Sequence, residues 1–244
     1  MHDQSIIDNE ISKAFKFVNE NKLDEAKQSL DTILKTQESL QTNQFQNIAD
    51  IYLIIGEFKI AGDMYIKANN LTGHAFTLIL LKKIEEAKEA LILTEDSQAK
   101  LWCEFLIELF TEKNNIQKWP GYFTIRHFLE STFYLLLKST NEGYINLLIK
   151  ISNELLDINP DSEKYIGYAY VNFEDLHSAT PFLERALKRN SYDGEIYFVL
   201  GKALFNKGLL PNALAMLENA RLLLPEHMPT KMLLEEVKAS LKPN

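Results

Sequence analysis

The last third of the sequence repeats a set of glycine, alanine and large apolar residues at one fixed interval. In the later copy these residues are Tyr197, Leu200, Gly201, Leu204, Gly208, Ala213, Leu217, Ala220 and Pro225. In the earlier copy, thirty-four residues upstream, they are Gly167, Tyr170, Ala179, Leu183 and Ala186. A fixed period of about 20–50 residues is the signature of stacked units, none of which can bury its apolar face alone. This repeat therefore predicts a stack of similar units that share one continuous core.

The spacing of these residues resembles the tetratricopeptide repeat, a pair of antiparallel helices in which small residues let neighbouring helices approach closely. The resemblance is strong over residues 160–227, good over 43–70 and weak elsewhere. It implies an all-α fold, a right-handed superhelical solenoid of antiparallel helix pairs with about 13–14 helices. The earlier copy has Glu163 where an aromatic residue is expected. Its Pro160 lies about one helical turn too close, which predicts a short first helix.

The N-terminal third carries further copies with less regular spacing. One copy contains Tyr52, Gly56, Ala61, Tyr65 and Ala68, and a weaker one before it contains Phe17, Ala26, Leu30 and Ile33. A third ends in Ala87, Ala90 and Leu91, and its short interval from the preceding copy predicts a short first helix or a trimmed loop.

These differences divide the sequence into three segments. Residues 1–94 are predicted to form an N-terminal tetratricopeptide-like array, residues 95–158 a middle of degenerate helical hairpins, and residues 159–244 a C-terminal array with a capping helix. The middle lacks the repeat signature but keeps the three- and four-residue apolar steps of helices. Its segment 114–121 is the strongest loop signal in the chain. Asn159, followed by Pro160, predicts the start of the next helix, with Asn159 as the N-cap.

Charge and composition argue against several classes of protein. The 26 basic and 34 acidic residues give a net charge of -8, which argues against a broad nucleic-acid surface. Cys103 is the single cysteine, so no intrachain disulfide can form. The sequence shows neither a secretory signal pattern nor the run of about 18 apolar residues that a membrane span needs. We therefore expect a cytoplasmic protein with no nucleic-acid partner and no membrane partner.

The sequence contains no recognisable catalytic or cofactor motif. Phosphate-binding loops, dinucleotide-binding glycine loops and a nucleophile elbow are absent, and the five histidines lie outside helical reach of one another. Cys103 lies among Leu101, Trp102 and Phe105, which favours a packed, unreactive thiol over a reactive one. We therefore predict that the protein is not an enzyme and that it holds no cofactor and no metal.

The family resemblance also implies where a ligand binds. In tetratricopeptide proteins the first helix of each pair lines the concave surface, where peptide ligands lie in extended form. The matching positions in the C-terminal array are Lys164, Tyr165, Tyr168, Asn172, Phe198, Lys202, Phe205 and Asn206, and those in the N-terminal array are Asn43, Gln46, Asn47 and Asp50. The C-terminal set combines aromatic rings with lysines, which suits apolar side chains and an acidic group. The amide-rich N-terminal set suits hydrogen bonding to a peptide backbone.

One alternative for the C-terminal set is that its aromatic residues pack against the adjacent repeat or the final helix. A second point concerns the carboxylate clamp with which some members of the family grip chaperone C-termini. That clamp needs Asn at the positions held here by Tyr168 and Val199, so we do not expect it.

The resemblance and the lack of catalytic motifs together predict a non-enzymatic protein–protein interaction module. Its role would be that of an adaptor, scaffold or assembly factor that binds a peptide or protein segment on the concave face. The alternative is a homo-oligomeric structural protein, such as a homodimer formed through the weak first repeat or the loop around Trp119. A minor alternative is an enzyme with a site in the middle segment, where Arg126, His127 and Glu130 fall on one predicted helix.

Overall fold

The computed structural model describes residues 2–36, 40–112 and 116–241 and shows an all-α fold without strands in these ranges. The helices are α1 (His2–Asn19), α2 (Leu23–Thr36), α3 (Thr42–Ile55), α4 (Phe58–Lys67), α5 (Leu71–Leu80), α6 (Ile84–Ile92), α7 (Gln98–Glu112), α8 (Tyr122–Lys138), α9 (Glu142–Lys150), α10 (Ser152–Ile158), α11 (Ser162–Asn172), α12 (Leu176–Arg189), α13 (Gly194–Asn206), α14 (Leu210–Leu223) and α15 (Met228–Ser240). Over the described residues, no helix is long and apolar enough to cross a membrane.

The all-α fold predicted from the sequence is confirmed, with one more helix than the largest number expected. The described residues form 15 helices, because the apolar stripe over residues 142–158 is broken at Ile151 into α9 and α10. The segment 114–121, predicted as a loop, lies between α7 and α8, and its residues 114 and 115 fall outside the described residues.

Ten of the helices form five pairs, each joined by a short turn and packed antiparallel. The pairs are α1 with α2, α3 with α4, α5 with α6, α11 with α12, and α13 with α14, and α15 packs against α14. First helices also contact first helices, as α1 does with α3 and α11 does with α13. This is the stacking expected of helical repeats, in which each pair buries its apolar face against its neighbours.

The chain forms two compact units. Unit 1 comprises residues 1–120 and 135–149, and unit 2 comprises residues 121–134 and 150–244. The division into three segments predicted from the sequence follows repeat similarity rather than compactness, and it stays a prediction, as does the handedness of the solenoid.

Two glycines of unit 2 show that the sequence repeat is also a packing repeat. A Cβ atom added to Gly167 on α11 would lie 2.5 Å from Cδ2 of Leu183 on α12. A Cβ atom added to Gly201 on α13 would lie 2.6 Å from Cγ of Leu217 on α14. Each pair of helices therefore crosses closely at the same point of the repeat, where a larger residue would force the helices apart. The close packing of paired helices predicted for these two repeats is confirmed.

Glu163 explains why the earlier repeat lacks its opening aromatic residue. The carboxylate is buried and forms ion pairs of 2.5 Å with both Arg185 and Arg189 on α12. An ion cluster thus joins α11 to α12 at this position. The first helix of this repeat is short, as expected: α11 has 11 residues, whereas α13 has 13.

The N-cap predicted at Asn159 was placed two residues too early. Helix α11 begins at Ser162, and Asp161 occupies its N-cap position. Asn159 is buried and its side-chain oxygen accepts a hydrogen bond from the Asp161 backbone N–H at 2.9 Å, while its amide nitrogen donates to the Tyr122 carbonyl at 3.0 Å. The side chain therefore fixes the turn and ties it to the start of α8, a partner that local spacing does not reveal.

In unit 1, side chains from the end of α8 and from the turn after it cap the C-termini of α3 and α5. The Lys138 ammonium donates to the Ile54 carbonyl at 2.6 Å, and the Asn141 amide donates to the Leu80 carbonyl at 2.7 Å. The last carbonyls of a helix have no partner within the helix, so these side chains satisfy them. Burial lowers the pKa of Lys138 from its usual value.

Candidate functional site

The residues assigned to the C-terminal ligand surface lie on α11 and α13, whose contact forms one face of unit 2. Asn172, Phe198, Lys202 and Asn206 line a single cavity of about 320 Å³ between these helices. The remaining lining residues are Val171, Glu174, Leu176, Val199, Ala203 and Lys207. We call this space the α11–α13 cavity. The other four assigned residues, Lys164, Tyr165, Tyr168 and Phe205, do not line it.

Lys164 is occupied by partners within the protein. Its side chain is buried, with 8% of the residue exposed, and its ammonium donates to Asp193 and to Glu195 at 2.7 Å each. Burial alone lowers the pKa of Lys164, but the hydrogen bonds to these two carboxylates outweigh it and raise the pKa above the usual value. Asp193 also accepts from the backbone N–H groups at the start of α13. Lys164 therefore joins α11 to the N-terminus of α13 and is not available to pair with a ligand's acidic group.

Tyr168 presents a hydroxyl that the surrounding residues leave without a partner. Its oxygen is buried and has no hydrogen bond to any residue that the structure describes. The Lys164 ammonium lies 5.6 Å from the centre of the Tyr168 ring. Burial, followed by the charges of Asp193, Glu195 and Glu130, raises the pKa of Tyr168 far above its usual value, so the phenol stays neutral.

Two of the other assigned aromatic residues contact the helices that follow α13. Phe198 and Phe205 pack against the buried cluster of Ala213, Leu217, Leu234 and Val237, which α14 and α15 provide. The Phe198 ring also meets His227 edge-on, with ring centres 4.8 Å apart. Tyr165 is half-buried, and burial raises its pKa above the usual value. Phe198 thus both packs against the final helices and lines the α11–α13 cavity.

Within the set assigned to the C-terminal surface, Lys202 and Asn206 stay exposed without a partner. Neither has an ion pair or a side-chain hydrogen bond to a residue within the described ranges. The Asn172 amide donates to the Glu130 carboxylate on α8 at 2.9 Å. Burial raises the pKa of Glu130, and the bond from Asn172 opposes that rise. The polar side chains that line the cavity are therefore Lys202, Asn206 and Lys207 from α13 and its end, and Asn172 and Glu174 from the end of α11.

The assigned N-terminal residues are partly used by a hydrogen-bond chain inside unit 1. The Asp50 carboxylate accepts from the Tyr65 hydroxyl at 2.7 Å and from the Gln46 amide at 2.9 Å. Gln46 in turn accepts from Asn70 at 3.0 Å, and Asn70 caps α5. This chain joins α3, α4 and the start of α5. Asn43 is exposed and Asn47 half-buried on the same helix, and a backbone-binding role for this set stays a prediction.

Two of the three residues named for an enzyme site, His127 and Glu130, have separate contacts. Glu130 accepts from Asn172, whereas His127 is exposed and its ring lies edge-on to Phe128 with centres 4.6 Å apart. Cys103 is buried, and burial raises the pKa of its thiol to about 12, so it holds few thiolate ions near neutral pH. Within the described residues, no three His, Cys, Asp or Glu side chains cluster in a way that could hold a metal ion.

Two ion clusters that involve α11 were not predicted from the sequence. They are the ion cluster of Lys164 with Asp193 and Glu195, and that of Glu163 with Arg185 and Arg189. Asp193 followed by Gly194 and Glu195 is a recognisable helix start, so the acidic end of α13 could have been located from spacing alone. Its partner on α11, Lys164, could not be located from spacing.

No family model matches the sequence, and no curated protein matches it. Among solved structures, the chain is similar to a tetratricopeptide repeat protein from Parabacteroides merdae ATCC 43184, with 17% identity, a TM-score of 0.39, and coverage of 95% of this chain and 98% of that chain.

Two further solved structures are similar at 14% identity. The APC/C hetero-tetramer Cut9–Hcn1 has a TM-score of 0.38 and is matched over 93% of this chain and 42% of that chain. Yeast Tom70 has a TM-score of 0.35 and is matched over 96% of this chain and 66% of that chain. The chain therefore spans under half of the first of these two proteins and about two thirds of the second. The fold assignment comes from the helix packing within this chain rather than from these low scores.

Proposed function

We propose that this protein is a non-enzymatic interaction module, an adaptor, scaffold or assembly factor, that binds a peptide or protein segment on the face formed by α11 and α13. The observation that carries the proposal is the α11–α13 cavity, which brings together Asn172, Phe198, Lys202 and Asn206. These are four of the residues that the family resemblance assigns to ligand binding. A cytoplasmic location, suggested by the single cysteine, belongs to the same proposal.

The lining of the cavity suits an extended segment of polypeptide. Val171, Val199 and Ala203 provide apolar surface, and they are flanked by the amides of Asn172 and Asn206. An extended segment carries unpaired backbone N–H and C=O groups, which amide side chains can bond, and alternate side chains that apolar surface can bury. A cavity of this kind provides a few placed polar groups around an apolar floor, as ligand sites do.

The proposal is tested by photocrosslinking from inside and outside the cavity. A photoreactive residue replaces Asn206 in one variant and Lys188, an exposed residue on α12 outside the cavity, in the other. Illumination in an extract of the source cells is expected to give a discrete protein adduct from position 206 and none of the same mass from position 188. Adducts that are identical at both positions would contradict the proposal.

A blocking substitution makes the test specific for the cavity. Ala203→Trp places a large ring in the cavity, and Ala215→Trp places the same ring on the exposed side of α14. We expect Ala203→Trp to abolish the adduct from position 206 and Ala215→Trp to leave it unchanged. An adduct that survives Ala203→Trp would show that the partner binds elsewhere.

A second candidate function is self-association through unit 1. Ile92 and Leu93 at the end of α6 are each 77% exposed, and Leu101 on α7 is 48% exposed. Adjacent exposed apolar side chains of this size favour an interface between copies. Light scattering over a range of concentrations tests this candidate, because a monomer at every concentration would exclude it. Ile92→Lys combined with Leu93→Lys should convert any dimer to a monomer.

A further inference from the structure

We infer that the segment bound in the α11–α13 cavity is acidic and that a carboxylate side chain of the segment pairs with Lys202. The inference rests on the proposed function, since it specifies the ligand of that same surface. It is carried by the net positive charge of the cavity lining and by the position of Lys202 on α13.

The charged residues that line the cavity are Lys202, Lys207 and Glu174, which leaves one positive charge in excess. Neither lysine forms an ion pair or a side-chain hydrogen bond with a residue that the structure describes. Lys207 is the residue that ends α13, whereas Lys202 lies within the helix, next to Ala203 and one turn from Val199. Lys202 is therefore the cation placed beside the apolar lining of the cavity.

Three acidic residues near this face are engaged within the protein, and Glu174, which lines the cavity, is outnumbered there by two lysines. Asp193 and Glu195 pair with Lys164 at the other end of α13, and Glu130 accepts a hydrogen bond from Asn172. The residues one helical turn away from Lys202 are Phe198, Val199, Phe205 and Asn206, none of which carries a charge. A ligand carboxylate at Lys202 gains a charge-assisted hydrogen bond beside apolar surface, whereas a ligand lysine there would meet a like charge.

The polar and apolar residues around Lys202 are suited to binding a peptide and not a small anion. Asn206 lies one helical turn further along α13, and Asn172 lies across the cavity on α11. Val199 and Ala203 line the same cavity. A carboxylate bound to Lys202 would thus belong to a segment whose backbone reaches the amides and whose neighbouring side chains cover the apolar floor.

The test is a selection of random dodecapeptides, displayed on phage, against the whole protein. We expect the recovered peptides to be enriched in Asp and Glu. The recovered peptides, made with a fluorescent label, are then titrated by anisotropy against the wild type, Lys202→Glu and Lys188→Glu. The two variants change the net charge equally, and Lys188 is exposed on α12 outside the cavity.

Lys202→Glu is expected to weaken binding of the acidic peptides about tenfold or more, because it replaces an attraction with a repulsion, and Lys188→Glu about twofold or less. Addition of salt should weaken wild-type binding. Lys202 is exposed on α13, so thermal unfolding of Lys202→Glu should match that of the wild type and show an intact fold.

Two results would overturn the inference, and they differ in what they say of the proposed function. Peptides without acidic enrichment, or acidic peptides that bind Lys202→Glu and the wild type equally, would refute the role of Lys202. If the variant Ala203→Trp nevertheless fails to bind these peptides, the cavity remains the binding site and the proposed function stands. A selection that enriches no peptide, together with no adduct from position 206, would refute both.

Discussion

The Lys164 ammonium on α11 and the Asp193 carboxylate that caps α13 are joined by a hydrogen bond of 2.7 Å, and both side chains are almost fully buried. Helix α11 is thus joined to α13 through the carboxylate of Asp193, which also caps the N-terminus of α13. The arrangement keeps α11 and α13 in register, and the α11–α13 cavity lies further along the same two helices.

Lys164→Met is expected to lower the free energy of unfolding by about 2–3 kcal/mol, because it leaves a buried carboxylate without its cation. The loss stays below the upper range for buried pairs, since Asp193 still accepts from backbone N–H groups. Urea unfolding measures the change. Lys188→Met, at an exposed position on α12, should change stability by less than about 0.5 kcal/mol. Equal values for the two variants would contradict the importance of this contact.

Gly201→Ala is expected to destabilise the protein by about 1–3 kcal/mol, although alanine favours helices. The added Cβ would lie 2.6 Å from Leu217, and the helices would have to separate to accept it. Gly143→Ala is the matched control, because nothing lies within 4 Å of a Cβ atom at that helical position. There the same change should stabilise by about 0.5–1 kcal/mol. Opposite signs in thermal unfolding are the expected outcome, and stabilisation by both changes would show that the α13–α14 contact is loose.

Tyr168→Phe is expected to leave the free energy of unfolding unchanged or to raise it by up to about 1 kcal/mol, because the hydroxyl it removes is buried without a partner. Tyr52→Phe provides the comparison. The Tyr52 hydroxyl donates to Asp31 at 2.5 Å, so its removal should cost about 1–2 kcal/mol. Both values follow from denaturant unfolding at neutral pH. A clear loss of stability in Tyr168→Phe would mean that its hydroxyl has an acceptor in solution.

Glu130→Gln is expected to stabilise the protein by about 0.5–1 kcal/mol at neutral pH. Burial raises the pKa of Glu130 in the folded state above the ordinary 4.5, so the fold favours the protonated carboxyl. The resulting penalty is absent below the ordinary pKa and develops as the pH rises through the raised value. The Gln side chain can still accept the bond from Asn172. The stability difference between variant and wild type should therefore vanish on acidification, and a difference independent of pH would refute this account.

The helix pairs and their closest contacts were predictable because they depend on residues that recur in one pattern. Gly167 and Gly201 lie at the same repeat position, and each meets the leucine of its own second helix. The small residue and its large partner are set within one repeat, so spacing alone identifies them. The break at Ile151 was not predictable, since the apolar stripe runs on through both α9 and α10.

The repeat pattern was a weaker guide to the roles of individual polar residues. Lys202 and Asn206 are exposed, as a ligand surface requires, whereas Lys164, chosen by the same criterion, pairs with Asp193 and Glu195. Gln46 and Asp50 lie on a first helix, as assigned, and are used by the chain through Tyr65 and Asn70. In each case the deciding partner lies on another helix, and the spacing of one helix does not show whether such a partner is present.

The sequence by itself determined the helical repeat, the pairing of helices within each repeat and the face on which a ligand is expected. These depend on the period of small and apolar residues, which acts locally and through contacts between adjacent helices. The tertiary structure decided which polar residues of that face hold the protein together and which stay available. A buried charge is retained only where a partner neutralises it, and that partner is brought close by the packing of separate helices. Lys164 and Lys202 lie on equivalent faces of neighbouring helices. The difference between them is that packing brings Asp193 and Glu195 into ion pairs with Lys164, whereas no described carboxylate forms an ion pair with Lys202.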